Sequence, residues 1–217
     1  GLPRTCDPAV GGGAFLLAVL RAVVAHGATP ADAIGLVHGC DVDPLAAAVT
    51  RCALRWWAAD HGLAHDAVDD GQVHVGDGLE LRRDGWPGGV DLMVGNPPFL
   101  GQMATRTARD PEQRARLAAR FGAAAGGYVD TAGLFLLLAV EVVAPGGRIA
   151  LVVPESLLGT RDAGPVRDAV TAGAALTQVW VPGVRLFDAA ARVCVPVLTA
   201  GAPSGEPPTV LVGPVPP

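Results

Sequence analysis

Val90-Asp91-Leu92-Met93-Val94-Gly95-Asn96-Pro97-Pro98-Phe99 is an apolar strand that runs straight into a polar residue and two prolines. Such a strand end is where a parallel sheet opens into a ligand crevice. Two prolines in series continue neither a strand nor a helix, so the chain turns there in a fixed shape. The side-chain amide of Asn96 and the carbonyl of Pro97 are then expected to point together at one small polar group. Phe99 offers a flat apolar face beside them. The arrangement suits a planar ring that carries an NH2 group.

Outward from this stretch the sequence alternates strand and helix. Strands are expected at Leu2 to Cys6, Gly35 to Asp41, Gln72 to Val75, Val90 to Gly95, Arg148 to Val153, Leu176 to Val181 and Arg192 to Thr199. Helices are expected at Gly13 to His26, Pro44 to Asp60, Val129 to Ala144 and Pro165 to Ala172, with Pro145-Gly146-Gly147 closing the third. Leu100 to Gly127 reads as a long Arg- and Gly-rich loop with a short helix inside it. The last two strands are too close for a crossover helix and favour antiparallel pairing, although Pro196 argues against an unbroken central strand. The fold class is therefore α/β: a doubly wound, mostly parallel seven-stranded sheet ending in an antiparallel hairpin. Residues 1–200 are expected to form one domain and 201–217 a Pro- and Gly-rich segment, in which Thr209 to Val212 could add a short strand.

Composition narrows the function classes. The net charge is −5, and all 16 basic residues are Arg. An acidic chain lacks the basic surface with which a self-sufficient DNA-binding protein neutralises phosphates. Cys6, Cys40, Cys52 and Cys194 have no metal-ligand or redox spacing, and the first, second and fourth lie in strand-like runs, as buried thiols of a reducing cytoplasm do. No apolar run reaches membrane-spanning length. The absence of an initiating Met, and a motif within the first ten residues, make a piece of a longer chain the expectation.

Three carboxylates sit at the carboxyl ends of three successive expected strands. Asp7-Pro8-Ala9-Val10-Gly11-Gly12-Gly13-Ala14-Phe15 joins the first strand to the first helix, and its glycines let backbone approach a ligand closely. It lacks both the dinucleotide spacing and a phosphate-binding lysine. Asp7 instead suits a ligand bearing a positive ammonium. Asp41 can accept both hydroxyls of a ribose, whereas Asp43 is the better helix cap before Pro44. Asp77, after the third strand, can accept an adenine amino group. Ligands of open α/β sheets bind at this edge.

Here the chain resembles a known family. The run Asp7 to Phe15 resembles the first motif of the class I S-adenosylmethionine-dependent methyltransferases, and more narrowly that of the adenine-specific DNA methyltransferases of restriction-modification systems. Gly39-Cys40-Asp41-Val42-Asp43-Pro44 resembles their second motif and Asp77 their third. Asn96-Pro97-Pro98-Phe99, extended by Leu100-Gly101, is similar to their catalytic motif. Pro182-Gly183-Val184-Arg185-Leu186-Phe187 resembles the segment that supplies a second aromatic to the target base.

The resemblance implies a Rossmann-like methyltransferase fold and a cytoplasmic enzyme that methylates the exocyclic amino group of adenine in DNA, in a restriction-modification or phage-defence setting. It implies S-adenosyl-L-methionine as cofactor, held by Asp7, Pro8, Ala9, Gly11, Gly13, Phe15, Asp41 and Asp77. Catalysis falls to Asn96, Pro97, Pro98 and Phe99, and base stacking to Phe99 and Phe187. DNA would be reached through a recognition domain absent from these residues, as is the helical segment that precedes the first motif in the family. RNA-base and protein-glutamine methyltransferases share the tetrapeptide, and a non-catalytic scaffold is the third reading.

Other clusters read more plainly. His61 and His65 suit a solvated helix end rather than a metal site. Trp56-Trp57 should put one ring on the core and the other at the surface. Arg106, Arg109, Arg114, Arg116 and Arg120 form either a solvated helix face or a phosphate-contacting loop.

Overall fold

The computed structural model describes residues 1–85, 89–99, 110–126, 130–184, 192–202 and 205–213. They fall into two units, Gly1–Asn96 and Pro97–Pro217.

The first unit runs β1 (Thr5–Asp7), α1 (Ala14–Ala25), α2 (Pro30–Ile34), β2 (Val37–Asp41), α3 (Pro44–Asp60), β3 (Val73–Val75) and β4 (Val90–Gly95). The strands lie in the order β3-β2-β1-β4, all parallel. The chain moves outward from β1 to β3 and then returns to the other side of β1. The strand order therefore reverses between β1 and β4, where open α/β sheets bind ligands beyond their carboxyl ends. Arg4 joins the amino ends of the same two strands, its Nε donating to Asp91 Oδ2 at 2.8 Å and its Nη2 to Oδ1 at 3.0 Å. These hydrogen bonds hold the Asp91 carboxyl below its ordinary range.

Helix α3 has the bounds its sequence predicts. Asp43 caps it by accepting the Leu45 N–H at 2.8 Å, and Pro44 supplies a preset φ at the first position. Ala47, Thr50, Leu54, Trp57 and Ala58 recur at helical spacing and are buried. Ala47, Leu54, Trp57 and Ala58 form one core with Leu16 and Leu20 of α1, Ala33 and Ile34 of α2, and Val37 and Val73 of the sheet. Each large aliphatic side chain so buried contributes about 1.5–3 kcal/mol. The two tryptophans divide as expected: Trp57 is buried and Trp56 exposed. His61 closes the helix, stacked on Trp57 with ring centroids 4.1 Å apart.

The second unit carries α4 (Pro111–Phe121), α5 (Thr131–Val142), β5 (Val143–Leu151), β6 (Val153–Pro154), α6 (Ser156–Gly159), α7 (Gly164–Gly173), β7 (Ala174–Val181), β8 (Val193–Ala200) and β9 (Thr209–Val212). Helix α5 is buried on nearly every side, as its unbroken apolar sequence requires. Strand β8 pairs antiparallel with β5, β6 and β7, so the C-terminal hairpin is present, and β9 adds to β7 in parallel. Pro196 sits inside β8 nonetheless. The β5 pairing ends at Ala150↔Val197 and the β6 pairing starts at Val153↔Cys194, so the ladder lapses opposite Pro196 on that side, while on the other side Pro196 pairs with Val179 of β7.

Two expectations change. The fifth strand begins at Val143, not Arg148, because Val143 leaves α5 already extended (φ −66°, ψ 137°) and the Pro-Gly-Gly run continues that strand. Nine strands are described rather than seven, the additions being the two-residue β6 and the terminal β9. Among the described residues no helix is long and apolar enough to cross a membrane.

Candidate functional site

The loop after β1 is pinned from below. Val10 N–H donates to the Cys40 carbonyl at 2.9 Å, and Gly11 N–H to Asp41 Oδ2 at 2.8 Å. Gly11 and Gly13 have φ of 52° and 82°, a region that L side chains rarely adopt. A Cβ added to Gly11 or Gly12 would meet no atom within 4 Å, so the space above the loop is open. Pro8 is buried beneath it, and Phe15 is half-buried in the first turn of α1.

The carboxylates line the neighbouring strand ends. Asp41 gives one oxygen to Gly11 and the other to the Asp43 N–H at 3.0 Å, and each oxygen keeps a further lone pair for a ligand. Asp43 is engaged as the cap of α3, which leaves Asp41 as the acid facing the edge. The Asp41 carbonyl accepts the Gly76 N–H at 2.8 Å and so joins the ends of β2 and β3. Asp77 follows and opens a tight turn by accepting the Leu79 N–H at 2.9 Å. Hydrogen bonds thus tie the loop after β1 to Asp41 and Asp41 to the strand end that carries Asp77. Val42, between Asp41 and Asp43, is 75% exposed, an apolar side chain at the same edge that the sequence reading passed over.

Asp7 ends β1 and is 1% exposed. Its Oδ1 accepts the Ala9 N–H at 3.0 Å, and the carboxyl packs against Gly95, the residue before Asn96. Burial pushes its pKa up to about 7; the charge of Asp41 adds to the rise and the Ala9 N–H opposes it. Cys40 reports the same field, its thiol pushed up to about 11 by burial and then by Asp77 and Asp41. A cation is the ligand this edge favours.

Asn96 leaves β4 half-buried. Its Oδ1 is fully buried and has no hydrogen-bond partner among the described residues. A buried unpaired acceptor costs about 1–3 kcal/mol. Pro97 is buried, Pro98 exposed and Phe99 half-buried. Phe187, Leu100, Gly101, Arg106 and Arg109 lie outside the described residues. Of the remaining arginines, Arg120 is held by Glu141 at 2.8 Å on both carboxylate oxygens, and Arg116 lies 3.9 Å from Glu112 one helical turn away.

Known structures share this fold. The type IIG restriction endonuclease BpuSI superposes with a TM-score of 0.72 at 19% identity, covering 97% of this chain and 24% of that one. A protein of Listeria monocytogenes assigned to the class I S-adenosylmethionine-dependent methyltransferases gives 0.68 at 21%, covering 97% and 57%. The methyltransferase subunit of a type I restriction-modification system from Streptococcus thermophilus gives 0.63 at 19%, covering 91% and 40%. The chain therefore spans between a quarter and somewhat over half the length of these proteins. No curated protein sequence matches it. The family model of the N-6 DNA methylases matches residues 3–211. From its first motif to its last strand, the chain belongs to the N-6 DNA methylase family.

Proposed function

We propose that this chain is the catalytic core of an enzyme that transfers a methyl group from S-adenosyl-L-methionine to the exocyclic amino group of adenine in DNA. A recognition domain outside these residues selects the site, and the setting is a cytoplasmic restriction-modification or phage-defence system. The observation that carries the reading is the Oδ1 of Asn96 at the end of β4, buried and without a partner among the described residues.

The residues present fit such a donor: open space lies over Gly11 and Gly12, and the acids at the strand ends favour a cation. When bound, S-adenosyl-L-methionine supplies a methyl group on a positively charged sulfur. Pro8, Ala9, Gly11, Gly13 and Phe15 form the cradle, Asp7 offers negative charge to the ammonium, Asp41 accepts from the ribose and Asp77 from the adenine amino group.

The acceptor nitrogen of adenine is a weak nucleophile because its lone pair is delocalised into the ring. Asn96 Oδ1 and the Pro97 carbonyl accept its two N–H bonds and draw it toward tetrahedral geometry, which frees the lone pair for in-line attack. Phe99 stacks on the base and Phe187 takes its other face, which requires the base to leave the duplex. Positioning and electrostatics carry the step; no strong base is needed beforehand, since the proton leaves after transfer.

The test is incubation of the full-length protein with labelled S-adenosylmethionine and DNA, RNA or protein, alongside Asn96→Ala. Label in DNA adenine that disappears with the substitution is the expected result. Label in RNA or protein alone overturns the acceptor assignment, and no transfer to any of them favours a non-catalytic scaffold.

A further inference from the structure

Thr50 lies in the middle of α3 with no exposed surface. A buried threonine inside a helix ordinarily returns its hydroxyl to a carbonyl one turn back. Thr50 Oγ1 instead donates at 2.7 Å to the carbonyl of Gly11, 39 residues away in sequence. Its methyl group occupies the neighbouring space, and a Cβ on Gly13 would stand 3.0 Å from Thr50 Cγ2. One side chain thus bears on both positive-φ glycines of the donor loop.

The consequence follows from the planarity of the peptide bond. The Gly11 carbonyl and the Gly12 N–H belong to one trans peptide and point in opposite directions. With the carbonyl drawn onto α3, the Gly12 N–H is aimed away from that helix, and a Cβ built on Gly11 or Gly12 would meet no atom within 4 Å. Backbone N–H groups just ahead of a helix receive anions, and the one anionic group of the donor is its amino-acid carboxylate.

We propose that Thr50 is a positioning residue: its hydroxyl fixes the Gly11–Gly12 peptide so that the Gly12 N–H receives the carboxylate of the methyl donor. This rests on the donor reading given above and adds a residue that never touches the ligand. Thr50→Val keeps the shape and removes the hydroxyl. Thr50→Ser keeps the hydroxyl and removes the methyl, and Thr50→Ala removes both.

The test is calorimetric titration of the full-length protein and these variants with two probes. S-adenosylhomocysteine carries the carboxylate; methylthioadenosine lacks the amino-acid portion. Thr50→Val is expected to weaken the first by about tenfold or more and the second by less than about twofold, while Thr50→Ser stays within about threefold for both. Equal loss for both probes, or no loss for either, overturns the proposal. Should Thr50→Val fail to fold by circular dichroism, Thr50→Ser against Thr50→Ala decides, with equal affinity for S-adenosylhomocysteine counting against it. Wild-type protein that binds neither probe removes the donor reading itself and this role with it. Wild type that binds while the variants match it removes only the role of Thr50.

Discussion

The carboxyl group of Asp7 occupies the place where a side chain on Gly95 would have to go. A Cβ built on Gly95 would stand 2.5 Å from Asp7 Oδ1 and 3.0 Å from its Cγ. Gly95 also holds φ at 154°, a conformation that belongs to glycine. The end of β1 and the end of β4 are therefore fitted to each other one residue before Asn96. Gly95→Ala should destabilise the protein by about 2–4 kcal/mol, from backbone strain and overpacking together. Adding Asp7→Ala should restore the packing share and leave the strain. Chemical denaturation of the single and double variants measures this, and strictly additive effects would refute the contact.

Asp7 should also give stability a pH dependence of definite sign. Its pKa rises on folding from 3.8 to about 7. Between those values the folded chain keeps a proton that the unfolded chain has released. Stability from this group therefore falls as pH rises from about 4 to about 7 and is level above that. The full effect is on the order of 4 kcal/mol at about 1.36 kcal/mol per unit. Asp7→Asn removes it, so the variant should gain on wild type from pH 5 to pH 8 in urea denaturation. A constant difference across that range would refute the shift.

Asn96→Ala separates chemistry from folding. Loss of the acceptor should lower methyl transfer by about a thousandfold, the scale seen when one preorganised polar contact to a transition state is removed. Stability should not fall, because the deleted oxygen is buried without a partner among the described residues and its removal relieves about 1–3 kcal/mol. Thermal melts and turnover on the same sample check both halves. A marked loss of stability would mean that the amide is structural.

Gly39 tests how tightly the donor loop is seated. A Cβ there would lie 2.8 Å from Val10 Cγ2. Gly39→Ala should push Val10, and the loop with it, and weaken S-adenosylhomocysteine by about tenfold. Val10→Ala in the same chain should recover most of that loss, as read by calorimetry. Failure of the second substitution to rescue the first would place the damage in β2 instead.

Much of this could be read in the sequence wherever the signal was local. Helix α3 and strand β4 start and stop at the predicted residues, because Asp43-Pro44 fixes one start and Asn96-Pro97-Pro98 forces one end. Asp7 and Asp41 end β1 and β2, and Asp77 lies two residues beyond β3, so a local strand end marks the position of each in the sequence. Helix α2 leaves little trace in the sequence although Thr29 caps it and Pro30 opens it, since five residues are too few to show a period. Pro145-Gly146-Gly147 reads locally as a break, yet it lies within β5. Thr50 and Gly95 gave no local sign at all: one looks like any helical threonine and the other like any strand-end glycine. Their roles come from partners 39 and 88 positions away, brought together only by the folded sheet.

The lapse opposite Pro196 carries a consequence for how β8 finds its alignment with β5 and β6. Strand β8 has neighbours on both sides, and a slide of two residues would keep the same side chains facing inward. Hydrophobic pattern alone does not forbid that slide. It would, however, carry Pro196 into a paired stretch, opposite Ile149 or Val153, and leave a carbonyl there without a donor. In the native alignment Pro196 pairs with Val179 of β7 on one side, and on the other it falls in the gap between the β5 and β6 pairings. A residue that weakens strands in general here disfavours a misaligned pairing of β8 with β5 and β6.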